Sequence, residues 1–324
     1  MGRTYLERAI FLLAACCMAA CASAQPYPTK PVRLIVPYPP GGGNDTLARL
    51  FGAKLTEAWG QQIVVDNRGG AGTTIGTSLA ARAVADGYTI LLSSIATHAI
   101  SPNLYSKPGY DPIRDFAPIT LLATAPTVLC VNPTVPVNSV RELIALAKAK
   151  PGDFRYASGG NGTPPHINAE VFKSVAGIDL LHVAYKGGGP ALVDLMAGRV
   201  QAMLDTAASA MPHVRSGKLR ALAISAPRRS PELPDLPTFA EAGLPQYDTN
   251  AWYSMHAPAG TPADIVRRLN RELVAILKDP DILARFKQLS TEPVGNSPEE
   301  FGAFVKAELE KYARVIKAAG IRLD

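Results

Sequence analysis

Cysteine is scarce in this 324-residue sequence, and its placement excludes several classes of site. Three of the four cysteines, Cys16, Cys17 and Cys21, lie within the first 24 residues, which leaves only Cys130 in the rest of the chain. One cysteine can form neither an intramolecular disulfide nor a cysteine-rich metal cluster. The five histidines also lack the paired spacing of zinc ligands. We therefore expect a fold held by its apolar core, with no metal and no cofactor.

Charge is also sparse. Charged residues make up 19% of the sequence, and the basic residues behind the formal net charge of +6 are scattered along it. A nucleic-acid site usually gathers basic residues onto one face or stripe, so nucleic acid is not an expected partner. The apolar fraction of 47% argues against a disordered chain. A chain of 324 residues is long enough for about two domains.

The N-terminus has the order of a secretory signal. Arg3 and Arg8 precede an uncharged apolar run over 9–22, and the small residues of Ala22–Ala24 close it. This run is shorter than the ~20 residues that span a bilayer, and no later segment is a better span. We expect residues 1–24 to be a cleaved signal peptide and the mature chain to be soluble and exported. The alternative is lipidation at Cys16 or Cys21, which would tether the chain to a membrane.

Strand and helix signals alternate along the mature chain, which predicts an α/β fold. The expected strands are 32–36, 63–65 and 89–93, and the expected helices are 44–59, 74–85 and 140–148. Ser139 and Glu142 have the spacing of a capping box that opens a helix. Thr163, Thr261 and Ser297 each precede a proline, an order typical of a helix N-cap. Cys130 lies in an apolar run and is expected to be buried in a strand.

A weak internal repeat relates the two halves of the chain. The glycine-rich segment 41–44 follows the first strand, and the segment 159–162 follows another, at an offset of 118 residues. The segments 64–70 and 182–188 have the same offset. This order predicts two similar α/β halves whose loop ends face one another. The alternative is coincidence, because glycine is common at strand–helix turns in any α/β protein.

A glycine-rich turn from a strand into a helix can bind an anion without a cationic side chain. Its backbone N–H groups and the positive end of the helix both point at the ligand. Glycine suits such a turn because a Cβ would block both the backbone angles and the approach of the ligand. Two such turns on facing halves would hold one small anion between them.

Other sites fit the sequence less well. No glycine run continues into the Gly-Lys-Ser/Thr pattern of a P-loop, and the segment 70–76 lacks the spacing of a dinucleotide loop. A secreted hydrolase that uses Ser158 and His166 is an alternative function, although the glycine that a nucleophile elbow needs two residues before the serine is missing. Asp205 either accepts hydrogen bonds from a ligand or caps a helix. Trp252 and Tyr253 are interpreted as packing at a hinge, and stacking on a substrate is the alternative.

Several ordered blocks of the sequence resemble one family, from about Pro28 to the C-terminus. The blocks are Pro37–Asp45, Val65–Gly72, Asp86–Leu91, Tyr156–Gly162, Tyr185–Gly187, Ser216–Ala223 and Ala257–Pro262. Together they resemble the Bug family of periplasmic solute-binding receptors, which serve tripartite tricarboxylate transporters. Because the blocks are long and keep their order, chance is a poor explanation of the similarity.

The resemblance implies a class II periplasmic binding protein fold, with two Rossmann-like α/β domains joined by crossing strands around a ligand cleft. The implied domains are 25–127 with 249–324, and 128–248, after a signal peptide at 1–24. It further implies a periplasmic monomer without enzymatic turnover. The implied function is capture of a small carboxylate by cleft closure and its delivery to membrane permease subunits. A ligand sensor without a transport role would share the same cleft.

The expected ligand residues come from the two glycine turns and from positions that match the family. They are Tyr38, Gly42, Gly43, Asn44, Asp45, Ser93, Ser94, Thr97, Ser158, Gly159, Asn161, Gly162, Thr163, His166, Tyr185 and Asp205. The chain departs from the family at one of these positions. Many members have an Asp-Asn pair where this sequence has Asp205 and Thr206. This departure leaves the specificity for the far end of the ligand open.

Overall fold

The computed structural model describes residues 27–41, 43–226, 228–229, 233–288, 291–318 and 320–321. The expected signal peptide, both candidate lipidation sites and Gly42 lie outside the described residues. The strands are β1 (Val32–Val36), β2 (Ile63–Asn67), β3 (Thr89–Ser94), β4 (Phe116–Val131), β5 (Arg155–Ser158), β6 (Leu181–Ala184), β7 (Ala202–Thr206), β8 (Arg220–Ile224), β9 (Asn250–Pro258) and β10 (Glu292–Pro293).

Helices connect most of these strands and cover the sheet. They are α1 (Gly43–Trp59), α2 (Thr74–Ala81), α3 (Ser101–Leu104), α4 (Val140–Ala149), α5 (Pro164–Ala176), α6 (Gly188–Met196), α7 (Ala207–Arg215), α8 (Ala263–Ile276), α9 (Pro280–Gln288) and α10 (Pro298–Ala318). A 3₁₀ turn at Ala71–Thr73 precedes α2, and a π-helix at Ala96–Ile100 follows β3. The alternation of strand and helix confirms the predicted α/β class.

The sheet has a near-symmetric strand order, β2-β1-β3-β9-β4-β7-β5-β6, with β8 and β10 also paired to β4. In the first strand set, β1 lies between β2 and β3, and the three strands are parallel. In the second strand set, β5 lies between β6 and β7 in the same way. The sequence repeat therefore corresponds to two strand sets of the same order, and each glycine-rich turn follows the central strand of its set.

Strand β4 lies between β9 and β7 at the centre of the sheet and changes partners along its length. Its segment Phe116–Pro126 pairs with β9, whereas Thr127–Val131 pairs with β7. Strand β9 pairs on its other side with β3 of the first strand set. The two antiparallel strands at the centre thus join the first strand set to the second.

The apolar cores follow from the periodicity of the helices and strands. In α1, Leu47, Phe51 and Leu55 recur every four residues and are buried against the first strand set. In the second half of the chain, Cys130 packs with Met203 in a separate core, which confirms the expected buried strand cysteine. The first expected strands and helices are confirmed, but α2 ends at Ala81 rather than at residue 85.

Two of the four predicted helix caps are confirmed. The Oγ atom of Ser139 accepts the N–H of Glu142, and that of Ser297 accepts the N–H of Glu300, both at 3.2 Å. Thr163 is the N-cap residue of α5, as predicted, but its hydroxyl donates to the carbonyl of residue 160 and caps no N–H. The prediction at Thr261 is wrong, because Pro262 is the N-cap residue and the Thr261 hydroxyl donates to the carbonyl of residue 258. Prolines occupy the first two positions of α5, so only the third N–H is available for capping there.

Candidate ligand-binding site

The first glycine-rich turn lies between β1 and α1, at residues 37–45. The φ of Gly41 is +87°, a left-handed value that favours glycine. Its N–H donates to Asp45 Oδ2 (2.9 Å), which also accepts from Arg49 Nε (3.0 Å). These hydrogen bonds, led by that from Arg49, hold the pKa of Asp45 below its ordinary value. Asp45 therefore fixes the turn through its carboxylate and is unsuited to contact an anion itself.

Tyr38 and Ser94 form a hydroxyl pair at the wall of this turn. Tyr38 Oη lies 2.6 Å from Ser94 Oγ, and Asn67 Nδ2 donates to the Tyr38 carbonyl at 3.1 Å. Burial raises the pKa of Tyr38, so its hydroxyl keeps its proton and can donate. The structure therefore brings Tyr38 and Ser94 together at the turn; Gly43 and Asn44 begin the helix beside them.

Ser93 and Thr97 do not join this group. Ser93 Oγ lies 2.6 Å from His256 Nδ1, within a fully buried cluster in which His256 stacks on His98 with ring centroids 3.9 Å apart. The Thr97 hydroxyl donates to the Ser94 carbonyl (2.8 Å) and accepts the Ser94 N–H (3.0 Å). Successive strand residues point to opposite faces, which places Ser93 in the core when Ser94 faces the turn. The hydroxyls of Ser93 and Thr97 are thus engaged in hydrogen bonds within the protein.

The second glycine-rich turn lies between β5 and α5, at residues 159–163. A Cβ on Gly159 would lie 3.2 Å from the backbone nitrogen of Gly188, so this glycine allows two loops to pack closely. The Gly160 carbonyl accepts from the hydroxyl of Thr163 at 2.7 Å. Asn161 is exposed at the tip of the turn. The turn is thus compact, and one side chain at its tip faces outward.

Histidines support this turn from below. The N–H of Gly162 donates to His166 Nδ1 at 3.0 Å. Ser158 Oγ lies 2.6 Å from Nε2 of His182, a residue that was not predicted to belong to the site. The serine–histidine pair that the hydrolase alternative requires, Ser158 with His166, is therefore not the one observed, and Ser158 has no exposed surface. The register of β5 with β6 places Tyr156 opposite His182, a pairing that sequence spacing alone does not reveal.

Asp205 and Tyr185 are the remaining predicted ligand residues in the second half of the chain. Asp205 is the penultimate residue of β7 and is 7% exposed; its Oδ1 accepts the N–H of Thr206, and its buried Oδ2 has no hydrogen-bond partner. Burial raises the pKa of this carboxyl group. By contrast, the hydroxyl of Tyr185 donates to Asp194 Oδ2 at 2.8 Å. Asp205 therefore has spare capacity for a ligand, whereas the Tyr185 hydroxyl is already occupied.

Tyr253, on the crossing strand β9, is a candidate that the sequence interpretation assigned to hinge packing. Its Cα is the register partner of Ser94 in the sheet. Burial, assisted by the charge of Asp205, raises the pKa of Tyr253 to about 12, and Tyr253 in turn helps to raise that of Tyr38. Tyr253 thus lies within electrostatic reach of candidates from both halves. Among the described residues its hydroxyl has no hydrogen-bond partner.

A separate cavity of about 590 Å³ lies between β9, α8 and the beginning of α10. Phe116, His256, Val266, Arg267 and Lys306 are among the residues that line it. None of the predicted ligand residues does so. In the part of the chain that the structure describes, no group of three His, Cys, Asp or Glu side chains is placed to hold a metal ion, and every helix is too short or too polar to cross a bilayer.

Comparison with known proteins places these features in a family. The family model described as "Tripartite tricarboxylate transporter family receptor" matches residues 47–321. Protein BugT of Bordetella pertussis is 38% identical over 307 residues, which cover 94% of each chain. A protein of Pseudomonas sp. (strain P51), described as a UPF0065 protein in the tcbD-tcbE intergenic region, is 39% identical and covers 90% of this chain and 86% of its own length.

Solved structures agree in fold. A protein of R. palustris solved with adipate is 39% identical, with a TM-score of 0.84 over 91% of this chain and 99% of its own. MatC from Rhodopseudomonas palustris, solved with malate, is 32% identical, with a TM-score of 0.80 over 90% of this chain and 100% of its own. These matches confirm the expected periplasmic binding protein fold, and the family implies a periplasmic location. The chain belongs to the tripartite tricarboxylate transporter receptor family, the Bug family of periplasmic solute-binding proteins.

Proposed function

We propose that this receptor captures one small carboxylate between its two glycine-rich turns and delivers it to a tripartite tricarboxylate-type permease. One observation carries the proposal. The turn after β1 and the turn after β5 occupy the same place in two strand sets of the same order. Each leads into the N-terminus of a helix, where backbone N–H groups and the helix dipole favour an anion. The solved relatives with adipate and malate support a carboxylate as that anion.

The proposal includes two domains that move relative to each other. Domain 1 comprises 25–127 and 249–324, and domain 2 comprises 128–248. The change of partners along β4 supports this division, because β4 pairs with β9 up to Pro126 and with β7 from Thr127 onward. Closure then follows from differential affinity, since a ligand that contacts both domains stabilises the closed state.

The side chains of the site indicate the chemistry of the ligand. Tyr38 and Tyr253 offer phenolic hydroxyls on the side of domain 1. Asp205, on the side of domain 2, keeps a buried oxygen without a partner, which can accept a hydrogen bond but would repel a second carboxylate. We infer a carboxylate at the glycine turns and a donor group, such as a hydroxyl, an amide or a protonated carboxyl, near Asp205.

We further propose that the chain is exported with cleavage of residues 1–24 and acts as a monomer without turnover. A ligand sensor would use the same site and differ only in the protein to which it docks. The Ser158–His182 contact does not favour a hydrolase, because Ser158 is fully buried and its oxygen also accepts the N–H of Gly160 at 3.1 Å.

A thermal-shift panel on the mature chain tests the proposal. Adipate and malate are compared with the diamides of the same skeletons, with glucose 6-phosphate and with a nucleotide. A ligand that binds only the folded state raises its stability, by about 2.7 kcal/mol at 100 times Kd. We expect carboxylates to raise Tm and to be recovered intact by mass spectrometry. A shift with phosphate compounds alone, or conversion of the bound acid into product, would contradict the proposal.

A further inference from the structure

The residues beneath the second glycine turn form a stack of three flat rings. His182 lies between Tyr156 and His166, with ring centroids 4.8 and 4.1 Å apart and interplanar angles of 15° on both sides. The rings come from three elements: Tyr156 from β5, His182 from β6 and His166 from the first turn of α5. Tyr156 is fully buried and His166 is 8% exposed. The stack is therefore a buried structural feature of the second half of the chain, to which three elements contribute.

Both imidazoles are bonded to the turn itself. A backbone N–H can only donate, so His166 Nδ1, which receives the Gly162 N–H at 3.0 Å, carries no proton. His182 Nε2 holds Ser158 Oγ at 2.6 Å, and that oxygen accepts the N–H of Gly160 at 3.1 Å. Two of the turn's five backbone nitrogens are thus fixed, directly or through Ser158, by the two histidines.

We propose that His166 and His182 are positioning residues that hold the second glycine turn in its anion-binding shape only while both imidazoles are neutral. This inference rests on the proposed function, because it assigns the turn to a carboxylate. A proton on His166 Nδ1 would oppose the Gly162 N–H donor to donor. It would also place a cation at a helix N-terminus, where the dipole disfavours positive charge.

Burial, more than the surrounding charges, favours the neutral state of both imidazoles. Glu170 on α5 is engaged by the Tyr156 hydroxyl (2.5 Å) and by Lys173 (3.0 Å), and Lys173 also lies 3.7 Å from Asp179. Burial lowers the pKa of His166, and burial with the neighbouring His166 lowers that of His182 to about 4. Glu170 opposes this shift and Lys173 adds to it. Both rings are thus neutral at pH 7, and the arrangement is lost as pH falls below 6.5, through the lowered pKa of His166 and then through that of His182 at about 4.

The first test needs no ligand. Nitrogen NMR of the mature chain labelled at histidine and glycine reports the tautomer of His166 and the amide of Gly162 across a pH titration. We expect an unprotonated Nδ1 at neutral pH and a single transition, below pH 6.5, that moves the His166 and Gly162 signals together. A protonated Nδ1 at neutral pH, or a His166 titration to which Gly162 does not respond, would overturn the inference.

The second test compares variants by calorimetric titration with adipate and malate. H166A leaves Gly162 without an acceptor and should weaken binding roughly tenfold. H166N places an amide oxygen near the former Nδ1, so it should bind like wild type at neutral pH and lose less affinity as pH falls below 6.5 through the lowered pKa of His166. Protonation of the ligand at low pH affects wild type and H166N equally, so it does not contribute to the difference between their affinities.

Asp153→Asn is the control. Asp153 is exposed and lies before β5, at the opposite end of that strand from the glycine turn, so the variant should keep the wild-type pH profile of binding. The Tm of each variant shows whether it folds. If H166A does not fold, the comparison of H166N with wild type decides the outcome. Identical pH profiles for wild type and H166N would refute the role of His166, and with it the proposal that both imidazoles must be neutral. Absence of carboxylate binding to wild type would instead refute the proposed function, and the NMR result would still decide the positioning role.

Discussion

At the scale of single residues, Tyr253 and Asp205 both have polar capacity that the protein does not use. The Tyr253 hydroxyl has no hydrogen-bond partner among the described residues, and Asp205 Oδ2 is buried without one. A buried polar atom without a partner, such as Asp205 Oδ2, costs on the order of 1–3 kcal/mol, so a ligand that supplies the partner gains affinity. We therefore expect both residues to affect binding, and the Tyr253 hydroxyl to have little effect on folding.

Tyr253→Phe removes only the free hydroxyl and keeps the ring. We expect the affinity for the carboxylate to fall roughly tenfold, with Tm nearly unchanged, because no bond within the protein is lost. Tyr247→Phe is the matched control, since the hydroxyl of Tyr247 donates to the Asn168 carbonyl in the core (3.3 Å). The control should lower Tm and leave Kd unchanged. Equal Kd values for Tyr253→Phe and wild type would remove Tyr253 from the site.

Asp205→Asn tests the buried carboxyl through pH. Burial raises the folded-state pKa above 3.8, so the folded state binds this proton more tightly than the unfolded state does. Stability from this group is complete below pH 3.8 and is lost as pH rises through the raised pKa.

Asparagine stays neutral, so Asp205→Asn should melt above wild type at neutral pH, and the difference should shrink toward pH 3.8. Exposed Asp153, changed to Asn, is the control and should show no such trend. A constant Tm difference across the pH range would contradict the raised pKa.

Part of the site could be predicted at this scale, and part could not. The glycine turns are local signals, so their residues can be found in the sequence. The supporting role of His182 depends on its register with Tyr156, and the position of Tyr253 on its pairing with Ser94. Such pairings join residues far apart in the chain. The sequence also could not show that Ser93 faces the core and Ser94 the turn, because adjacent strand residues can be assigned to faces only when the sheet is known.

At the scale of elements, helix caps separate local signals from tertiary ones. The box at Ser297 is complete, because its Oγ accepts the N–H of Glu300 and Glu300 Oε2 accepts the N–H of Ser297 at 2.9 Å. Thr163 has a similar sequence context but turns its hydroxyl toward Gly160. The π-helix after β3 carries no sequence pattern, and the Tyr110 hydroxyl supports it through the Thr97 carbonyl at 2.5 Å.

Ser297→Ala removes one side of the capping box of α10. We expect the free energy of unfolding to fall by about 1 kcal/mol, measured by denaturant titration, because the N–H of Glu300 loses its acceptor. Exposed Ser106, whose side chain makes no hydrogen bond to any residue that the structure describes, is the control and should change by less than about 0.5 kcal/mol when replaced by alanine. A loss for Ser297→Ala no greater than for Ser106→Ala would contradict the cap.

At the scale of the whole molecule, the repeat of strand order is the central feature. Two strand sets, each with a glycine turn after its middle strand, are joined by β4 and β9. The repeat was visible in the sequence because glycine and strand signals recur at one offset. The crossing itself was not, since β4 gave only a short apolar signal near residues 128–131, although the strand extends over Phe116–Val131.

Domain closure predicts a change of shape in solution. Small-angle scattering of the mature chain should give a smaller radius of gyration after a binding carboxylate is added, because the closed state alone contacts the ligand from both domains. The diamide of the same acid should leave the radius unchanged. A carboxylate that binds without any compaction would contradict capture by closure.

The most direct measurement is a crystal structure of the mature chain with adipate or malate, whichever gives the larger rise in Tm. We predict one bound acid whose ionised carboxylate lies between the turn at 37–45 and the turn at 159–163, with its second carboxyl group protonated and near Asp205 and Tyr253. An acid bound instead in the separate cavity beside Phe116 and His256, with both glycine turns empty, would contradict the account.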